Sequence, residues 1–478
     1  MKYEDHQDTT LNIVGQSRSI IGFVSVLFVD KGSKETLRLG LSTVLTWLGL
    51  ALAMVMPSLS NAQNDDADTW VIVHAGTLLS VPGEKPEKEK TIVIKNGVIE
   101  SVLDGYIALE NTAAVDAEVI SLKNNFVLPG LMDMHVHLRN GVPTLLMDDA
   151  RRVFGSKVNN DADSAIIATS NAQSALMTGY TTVRDAGSDG PAVFSVRDGI
   201  ERGLIYGPRI FLAGEQVHVT DGNSWSPSLP HPLCDGSDAC RWKVREQIRR
   251  GADFIKIAVS GSGSEDNGGP DDPPEMFDDE IKVVVDTAHS MLRPVSAHAH
   301  GTASINAALR NGVDSIEHGS FPDRESIRLY KQNDAIFVPT LAYITRWNEE
   351  YLAALAPYQK IRKSQFMELQ PKGVAMAYKA GVVIAAGSDV GSGLMTHGLS
   401  PLEPIAYVEL AGLSEMDAIV TATINGAKLL RKEDVLGTLE PGKYADLIAT
   451  NTSPLEDIRV LLQVTFVMKG GVVYKNEQ

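Results

Sequence analysis

Short apolar runs and longer amphipathic segments alternate along the middle of the chain, from about residue 129 to residue 435. Eight of the runs have a strand-like pattern, and most of them are separated by stretches with helical periodicity. The predicted strands are Val127–His137, Thr181–Asp185, Ile210–Glu215, Phe254–Ser260, Pro294–His298, Ser315–His318, Ile336–Thr340 and Val382–Asp389. The predicted helices include Ala162–Thr178, Arg241–Arg250, Asp279–Met291 and Pro401–Leu430. Eight strand–helix units of this combined length predict an α/β fold, the (β/α)8 TIM barrel.

The segments on either side of this region have a different pattern, with short strands and glycine turns. The predicted strands are Trp70–Val81, Lys90–Val102 and Ala114–Leu122 before the barrel, and Asp446–Ala449 and Val464–Tyr474 after it. Asn96-Gly97 is typical of a hairpin turn. Because these flanks bracket the barrel, we expect them to pair into one small β-sandwich domain built from both chain ends. The predicted organisation is a leader at 1–62, sandwich parts at 63–128 and 436–478, and the barrel at 129–435.

The leader has the layout of an export signal. Three basic residues precede an uncharged apolar run, Leu39–Met56, and Pro57 and small residues up to Ala62 follow it. This order is typical of a secretory signal peptide cleaved after Ala62. An uncleaved membrane anchor is the alternative, because the run approaches the roughly 20 residues that span a bilayer. The helix-breaking proline favours cleavage, so we expect a periplasmic or secreted protein without stable membrane insertion.

Charge and cysteine content narrow the range of partners. The 478 residues carry a formal net charge of −17, which would repel phosphate backbones and anionic membranes. Nucleic acid is therefore excluded as an expected partner. Only two cysteines are present, Cys234 and Cys240. A short-loop disulfide and two reduced, buried thiols are both compatible with their spacing.

Polar residues at the predicted strand ends point to a metal centre. In barrels of this type, catalytic groups project from the carboxyl ends of the strands. His135 and His137 are one residue apart at the end of the first predicted strand, so their imidazoles can face the same metal ion. The ends of later strands carry Lys256, His298, His318 and Asp389. Imidazole and carboxylate groups are good ligands for divalent cations.

Lys256 needs a separate explanation, because an ammonium group has no lone pair to offer a metal. Three roles remain open from the residue type alone. The lysine could be a salt-bridge partner, a deprotonated base, or a carbamate formed with carbon dioxide. A carbamate has two oxygens and can bridge two cations.

The motifs around these residues resemble those of the amidohydrolase superfamily. They are Pro129-Gly130-Leu131-Met132-Asp133-Met134-His135-Val136-His137, Phe254-Ile255-Lys256-Ile257, Ser296-Ala297-His298-Ala299-His300-Gly301, Ile316-Glu317-His318-Gly319 and Gly387-Ser388-Asp389. The resemblance covers about residues 68–478. It is greatest to the imidazolonepropionase-like branch that contains ochratoxinase and the metal-dependent carboxypeptidases called Xaa-Pro dipeptidases. Members of this branch have a binuclear site, usually of zinc, bridged by a carboxylated lysine.

The resemblance implies a role for each residue of the predicted site. One metal would be bound by His135, His137 and Asp389, the other by His298 and His318, with carboxylated Lys256 bridging both. A hydroxide between the two divalent ions would be the nucleophile, and Asp389 would pass its proton to the leaving amine. His300 could replace His298 as a ligand, but the family pattern favours His298. His300 is then expected to contact substrate or the tetrahedral intermediate.

Four further residues near predicted strand ends or loops are candidate substrate contacts. They are His218, Arg184, Tyr343 and His397. Each also has a structural alternative: a solvated loop residue for His218, an ion pair with Asp185 for Arg184, packing under the rim for Tyr343, and a loop cap for His397.

The loop after the third predicted strand departs from the family pattern. Relatives commonly have a Gly-Gly-His-Gly-like sequence there, whereas this chain has Val217-His218-Val219-Thr220-Asp221-Gly222-Asn223. The substrate preference of a single relative is therefore not transferred. Imidazole and carboxylate ligands accommodate zinc, manganese, iron or cobalt, so the ligand set does not identify the metal. A homo-oligomer is compatible with the sequence.

The sequence predicts an exported binuclear metal hydrolase that cleaves the C-terminal peptide bond of a dipeptide or an N-acyl amino acid, with ochratoxin-like amides included. One alternative is a hydrolase of cyclic amides or lactones from the same superfamily. A second is a non-catalytic periplasmic barrel that only binds metal. The intact set of ligands and the proton-transferring Asp389 argue against that second alternative.

Signal cleavage predicts a mature chain that begins at Gln63. Mass spectrometry of the exported protein should identify this N-terminus. An intact N-terminus at Met1 on the mature protein would contradict cleavage.

Overall fold

The computed structural model describes residues 68–107, 117–141, 160–220, 222, 233–261 and 269–477. The predicted leader lies outside the described residues. Within the described ranges, no helix combines the length and the apolar character needed to cross a membrane.

Fourteen strands are present in these ranges. They are β1 Trp70–Leu78, β2 Glu87–Lys95, β3 Val98–Asp104, β4 Glu118–Pro129, β5 Leu131–Val136, β6 Tyr180–Asp185, β7 Arg209–Leu212, β8 Ile255–Ala258, β9 Val295–Ala299, β10 Ser315–His318, β11 Ile336–Val338, β12 Leu447–Thr450, β13 Phe466–Lys469 and β14 Val472–Asn476. The α-helices are Asp161–Met177, Ala192–Glu201, Ser237–Arg250, Asp278–Ser290, Thr302–Arg310, Arg324–Gln332, Glu349–Ala354, Pro357–Lys379, Leu402–Ala411, Glu415–Thr421 and Ile424–Leu430. Leu341–Arg346 and Ile458–Gln463 form 3-10 helices.

Both chain ends contribute to one seven-stranded sheet, ordered β14-β13-β12-β4-β1-β2-β3. β4 pairs in parallel with β1 and antiparallel with β12, which joins the two flanks. This confirms the predicted pairing of the flanks. The strands form one curled sheet and not the two separate sheets expected of a sandwich. Its curl brings the β2–β3 turn to the β13–β14 turn, where a Cβ at Gly97 would lie 2.5 Å from the Gly470 carbonyl oxygen.

The central strands form a TIM-barrel-like arrangement of two parallel sheets, β5-β6-β7 and β11-β10-β9-β8. Isolated parallel bridges link the sheets: Val217 to Ile257 on one side, and Phe337 to Ile384 and Val136 to Val390 on the other. The eighth predicted strand, Val382–Asp389, is therefore not a regular strand, and the chain here pairs with its neighbours only through isolated bridges. Its extended backbone ends at Asp389, where φ is 57°.

The first predicted strand, Val127–His137, is divided between the two parts of the fold. β4 ends at Pro129 in the seven-stranded sheet, and β5 begins at Leu131 in the barrel-like part. The chain crosses at Gly130, where a Cβ would lie 2.2 Å from the Thr181 Oγ1 atom. Only glycine allows this close approach to β6, and Pro129-Gly130 was the local sequence signal for this change of sheet.

The predicted helix Pro401–Leu430 is also divided, into three helices. Gly412 has a left-handed φ of 72° and ends the first of them. Ser414 then caps the second by accepting a hydrogen bond from the Asp417 backbone N–H. The apolar period continued across both signals, which made the segment look continuous.

The two cysteines form a disulfide beside the loop that follows β7. Cys234 and Cys240 are both fully buried. The Cys234 backbone N–H donates to the His218 carbonyl at 2.9 Å, and the Val217 N–H donates to the Lys256 carbonyl at 2.8 Å. The disulfide therefore anchors this loop near the carboxyl end of β8.

Candidate metal centre and active site

Four strands and one extended segment bring the predicted site residues together at the carboxyl edge of the parallel strands. Donor atoms of His135, His318 and Asp389 lie within 4.8 Å of one another, as do those of His298, His300 and His318. The two groups share His318. Parallel strands end at the same edge, which explains why residues so distant in sequence meet.

Asp389 also links the histidine pair at the end of β5. Its Oδ1 atom lies 3.3 Å from His137 Nε2 and 3.7 Å from His135 Nε2. The rings of His135 and His318 are 5.0 Å apart, and those of His298 and His318 are 4.5 Å apart. The structure thus brings together every histidine and the aspartate predicted as metal ligands.

Hydrogen bonds outside the cluster orient its imidazoles. His135 Nδ1 lies 2.8 Å from Glu317 Oε2, and His137 Nδ1 donates to the Gly187 carbonyl at 2.7 Å. His318 Nδ1 contacts Thr340 Oγ1 at 2.8 Å. When these Nδ1 atoms carry the proton, each Nε2 atom keeps a lone pair for a metal. His298 is reversed, because its Nε2 donates to the Gly261 carbonyl at 2.9 Å.

Burial keeps most of these imidazoles neutral. Burial, reinforced by the Lys256 charge, lowers the pKa of His135 to about 4 and that of His298 to about 3. Burial also holds the pKa of His300 and of His318 well below the usual range. Neutral imidazole is the form that binds metals. For His137, burial would lower the pKa, but the contact with Asp389 outweighs it and raises the pKa.

Lys256 is buried among the ligands with its amine unsatisfied. The side chain is 1% exposed, and Nζ has no hydrogen-bond partner among the described residues. Burial lowers the pKa of this amine to about 8, although the Glu317 carboxylate opposes the shift. Burial without a partner thus makes the charged form of this amine less favourable than it is for a lysine in water.

The backbone is strained at three positions of the site. His318, Thr340 and Asp389 have φ values of 67°, 52° and 57°, in the left-handed region that non-glycine residues rarely adopt. Such strain costs on the order of 1–3 kcal/mol per residue and persists where surrounding structure enforces it. Here it turns the His318 and Asp389 side chains from their strand ends into one cluster.

Glu317 lies beneath the cluster, at a position that the sequence alone gave no functional role. Its fully buried carboxylate contacts Arg184 Nη2 at 2.6 Å and accepts from Ser296 Oγ at 2.7 Å, in addition to its contact with His135. Burial would raise the pKa of Glu317, but the Arg184 charge and then the His135 hydrogen bond outweigh it, and this pKa lies well below its usual range. Polar Ser315 and Glu317 alternate along β10, which was the available sequence signal.

Arg184 is buried in the barrel-like interior beneath the cluster. It is 3% exposed, pairs with Glu317, and donates through Nε to the Met134 carbonyl at 2.6 Å. The structure therefore places it in a buried ion pair, with Glu317 as the partner and not Asp185. Asp185 instead accepts from the Leu138 backbone N–H at 2.7 Å and from Ser188 Oγ at 2.9 Å.

Asp133 joins β5 to the segment that carries Asp389. Its carboxylate accepts from the backbone N–H groups of His135 and Ser388, at 3.1 and 2.9 Å, and from Ser388 Oγ. Burial raises the pKa of Asp133 to about 6. The carboxylate thereby sets the spacing between the His135 and Asp389 backbones.

The other predicted contacts lie at different distances from the cluster. His300 belongs to it: its ring stacks on His318 at 4.7 Å, and its Nδ1 contacts Ser320 Oγ at 2.8 Å. His397 is buried and donates to the carbonyls of His137 and Asn140, as expected of a residue that braces a loop.

Tyr343 and His218 are both partly buried at the edge of the site. Burial and the nearby Asp389 charge raise the pKa of Tyr343, whose hydroxyl lies against Gly393. His218 Nδ1 contacts the Val219 carbonyl at 3.0 Å. Either side chain is close enough to the rim to remain a candidate substrate contact.

Comparison with known proteins identifies the class of this chain. The amidohydrolase family profile matches residues 126–474, so the chain belongs to the amidohydrolase family and is a hydrolase that acts on amide bonds. Ochratoxinase of Aspergillus niger is 32% identical over 447 residues, covering 87% of this chain and 88% of the relative.

Solved structures agree with this assignment. A Xaa-Pro dipeptidase with methionine bound in its active site has a TM-score of 0.75 and 32% identity, and the match covers 85% of this chain and 100% of that one. The structure of A. niger ochratoxinase has a TM-score of 0.73, with coverage of 86% and 96%. A prolidase complexed with N-methylphosphonate-L-proline has a TM-score of 0.72 and 28% identity, with coverage of 85% and 100%.

Glu317→Gln should weaken metal retention about 10- to 100-fold, because the amide lacks the negative charge that orients His135 and balances Arg184. Metal content after dialysis against a competing chelator measures this effect. Ser296→Ala is the matched control, since it removes one neutral hydrogen bond to the same carboxylate and keeps its charge. Equal retention by wild type and Glu317→Gln would contradict the role of this carboxylate.

Proposed function

We propose that this protein is a binuclear metal-dependent hydrolase that removes the C-terminal amino acid from dipeptides or N-acyl amino acids. The observation that carries the proposal is the cluster of buried, neutral imidazoles, one aspartate and one unsatisfied lysine at the carboxyl edge of the parallel strands. We further propose that the eight strand segments close into a complete barrel around this cluster.

The donor chemistry fits two divalent cations. His135, His137 and Asp389 would hold one, and His298 and His318 the other. Imidazole nitrogen and carboxylate oxygen suit zinc, and zinc is our proposal for both ions. When bound, two cations lower the pKa of water and polarise the amide carbonyl. The shared position of His318 in both donor groups supports two adjacent ions.

A carboxylated Lys256 would complete the ligand set. The neutral amine adds to carbon dioxide, a C–N bond forms, and one proton leaves, so the product is an anionic carbamate with two oxygens. The lowered pKa of Lys256 supports this step, because only the neutral amine is nucleophilic. A carbamate would also replace a partnerless buried amine by an anion with cations beside it.

The chain's own residues would manage the proton and the substrate. Asp389 Oδ1 lies 3.3 Å from His137 Nε2, and this contact lowers the pKa of Asp389 although burial opposes it. Asp389 is thus an ionised base that would accept a proton from the attacking water and give it to the leaving amine. His300, stacked on His318, would hydrogen-bond the substrate carbonyl as negative charge develops there.

The substrate class rests on the relatives. One dipeptidase neighbour holds methionine in its active site, and a prolidase neighbour binds a phosphonate derivative of proline. Both ligands are amino acids or derivatives of one, which supports an amino acid as the product released here. The relation to ochratoxinase extends the proposed substrates to ochratoxin-like amides.

The proposed activity predicts that metal-replete protein releases amino acids from a library of dipeptides and N-acyl amino acids. Removal of metal with a chelator should abolish turnover, and added zinc should restore it. Cyclic amides and lactones are assayed in parallel. Faster turnover of the ring substrates would overturn the proposed substrate class. If metal-loaded protein turns over none of these substrates, the result supports the non-catalytic barrel that only binds metal.

Lys256→Ala should lower kcat/KM by at least about 10³-fold, because it removes the proposed bridging ligand. Metal analysis should find two ions per chain in wild type and fewer in the variant. Added short-chain carboxylic acids should restore part of the activity by occupying the vacated space. One ion per chain together with an unmodified lysine in wild type would refute the bridging role.

A further inference from the structure

A second buried lysine stands close to the candidate active site. Lys363 is 9% exposed and lies on the helix Pro357–Lys379. It shares the buried face of this helix with Phe366 and Gln370, three and seven residues further on. That face is otherwise suited to the core, so an ammonium group there is unexpected.

Lys363 has no carboxylate partner among the described residues, and burial is the one cause of the change in its pKa. Its Nζ atom lies over the rings of Trp347 and Phe366, 4.3 and 5.8 Å from their centroids. Contacts of this kind compensate only part of the cost of desolvating a charge. Burial accordingly lowers the pKa of Lys363 to about 8. The fold therefore keeps a cation where it gains little for stability.

One layer of aromatic rings lies between Lys363 and the histidine cluster. Phe366 packs edge-on against His300 with 5.3 Å between ring centroids, and His300 stacks on His318. Trp347 packs against Tyr343 on the other side, at 5.6 Å. The Lys363 charge is close enough to add to the lowering of the His300 pKa that burial causes.

A hydrogen-bond donor in this layer is unsatisfied. The Trp347 Nε1–H group is buried and has no partner among the described residues. A buried N–H without an acceptor destabilises the folded protein, because it has lost its hydrogen bonds to water. An unsatisfied Trp347 N–H and a largely buried ammonium without a carboxylate beside it, both next to the proposed reaction centre, favour an anionic acceptor that the described part of the chain does not supply.

We infer that Lys363 binds the free carboxylate of the amino acid that the enzyme releases, and that Trp347 and Phe366 contact the side chain of the same residue. This inference rests on the proposed hydrolysis of dipeptides and N-acyl amino acids, and it assigns the C-terminal subsite of that reaction. A carboxylate satisfies the ammonium in a water-poor site, where charge-assisted hydrogen bonds are strongest. The aromatic rings favour an apolar or aromatic side chain.

A carboxylate bound at Lys363 would also direct cleavage to the C-terminal peptide bond of the substrate. A substrate with an internal peptide bond or a blocked C-terminus would leave the buried ammonium unpaired, and the site would discriminate against it. Lys363 is accordingly a specificity residue, separate from the groups that hold metal or move protons.

The test compares N-acetyl-L-phenylalanine with N-acetyl-L-phenylalanine amide, and acetate release is measured for both. Wild type should prefer the free acid by about 10- to 100-fold in kcat/KM, mainly through KM. This preference should collapse in Lys363→Met and persist in Lys363→Arg. Lys360→Met removes an exposed positive charge from the same helix and should keep the wild-type preference.

Other outcomes would overturn the inference. A Lys363→Met variant that keeps the preference for the free acid shows that the lysine does not bind the carboxylate, and equal losses on both substrates show a structural role. Thermal melting identifies a variant that fails to fold, in which case Lys363→Gln replaces it in the same comparison.

Failure of the proposed function is recognised separately. If wild type cleaves neither compound, calorimetric binding of L-phenylalanine to the metal-loaded protein tests the subsite alone. Binding that weakens about 10-fold or more in Lys363→Met supports the carboxylate subsite without the reaction. Equal affinity of wild type and variant, or no binding to either, refutes it.

Discussion

The site depends on how the interior of the barrel-like region accommodates charge. Arg184 and Glu317 form an ion pair at 2.6 Å, with both side chains almost completely buried. Such a pair gains little net stability, because desolvation offsets much of the attraction, but the loss of one partner would leave an uncompensated buried charge. The second oxygen of Glu317 reaches His135 Nδ1 at 2.8 Å. One carboxylate thereby balances the arginine below and sets the tautomer and direction of the imidazole above, so the cluster is built upon it.

The backbone completes what this ion pair begins. Regular strands would end with their side chains on alternating faces, whereas His318 and Asp389 turn into the cluster by adopting positive φ. Asp133 holds the His135 and Ser388 backbones together, and the Thr340 hydroxyl contacts the turned His318. Buried hydrogen bonds to neighbouring residues thus stabilise the strained backbone at His318 and Asp389. The resulting arrangement has neutral imidazoles facing inward and hydrogen bonds facing outward, as a preorganised metal centre requires.

The sequence was most informative where chemistry depends on local spacing. His135 and His137 share a strand face by geometry alone, and the Asn96-Gly97 turn joins β2 and β3 as predicted. It was least informative where two distant segments decide the outcome. The run Val127–His137 was predicted as one strand, yet it changes sheets at Pro129-Gly130, where Thr181 packs against the glycine. Arg184 looked like a partner for its neighbour Asp185, but successive side chains on a strand point to opposite faces.

The sequence by itself indicated the family and the alternation of strands and helices, and it predicted the pairing of the two flanks and the histidines and aspartate that meet in the cluster. These features follow from periodicity and from side-chain chemistry, which are local properties of the chain. Only the tertiary structure decided that Glu317 lies beneath His135, that the flanks form one curled sheet, and that Lys363 is buried beside the site without a carboxylate partner among the described residues. Partners, burial and unpaired charge depend on which residues from distant segments are packed together, and no sequence window contains that information.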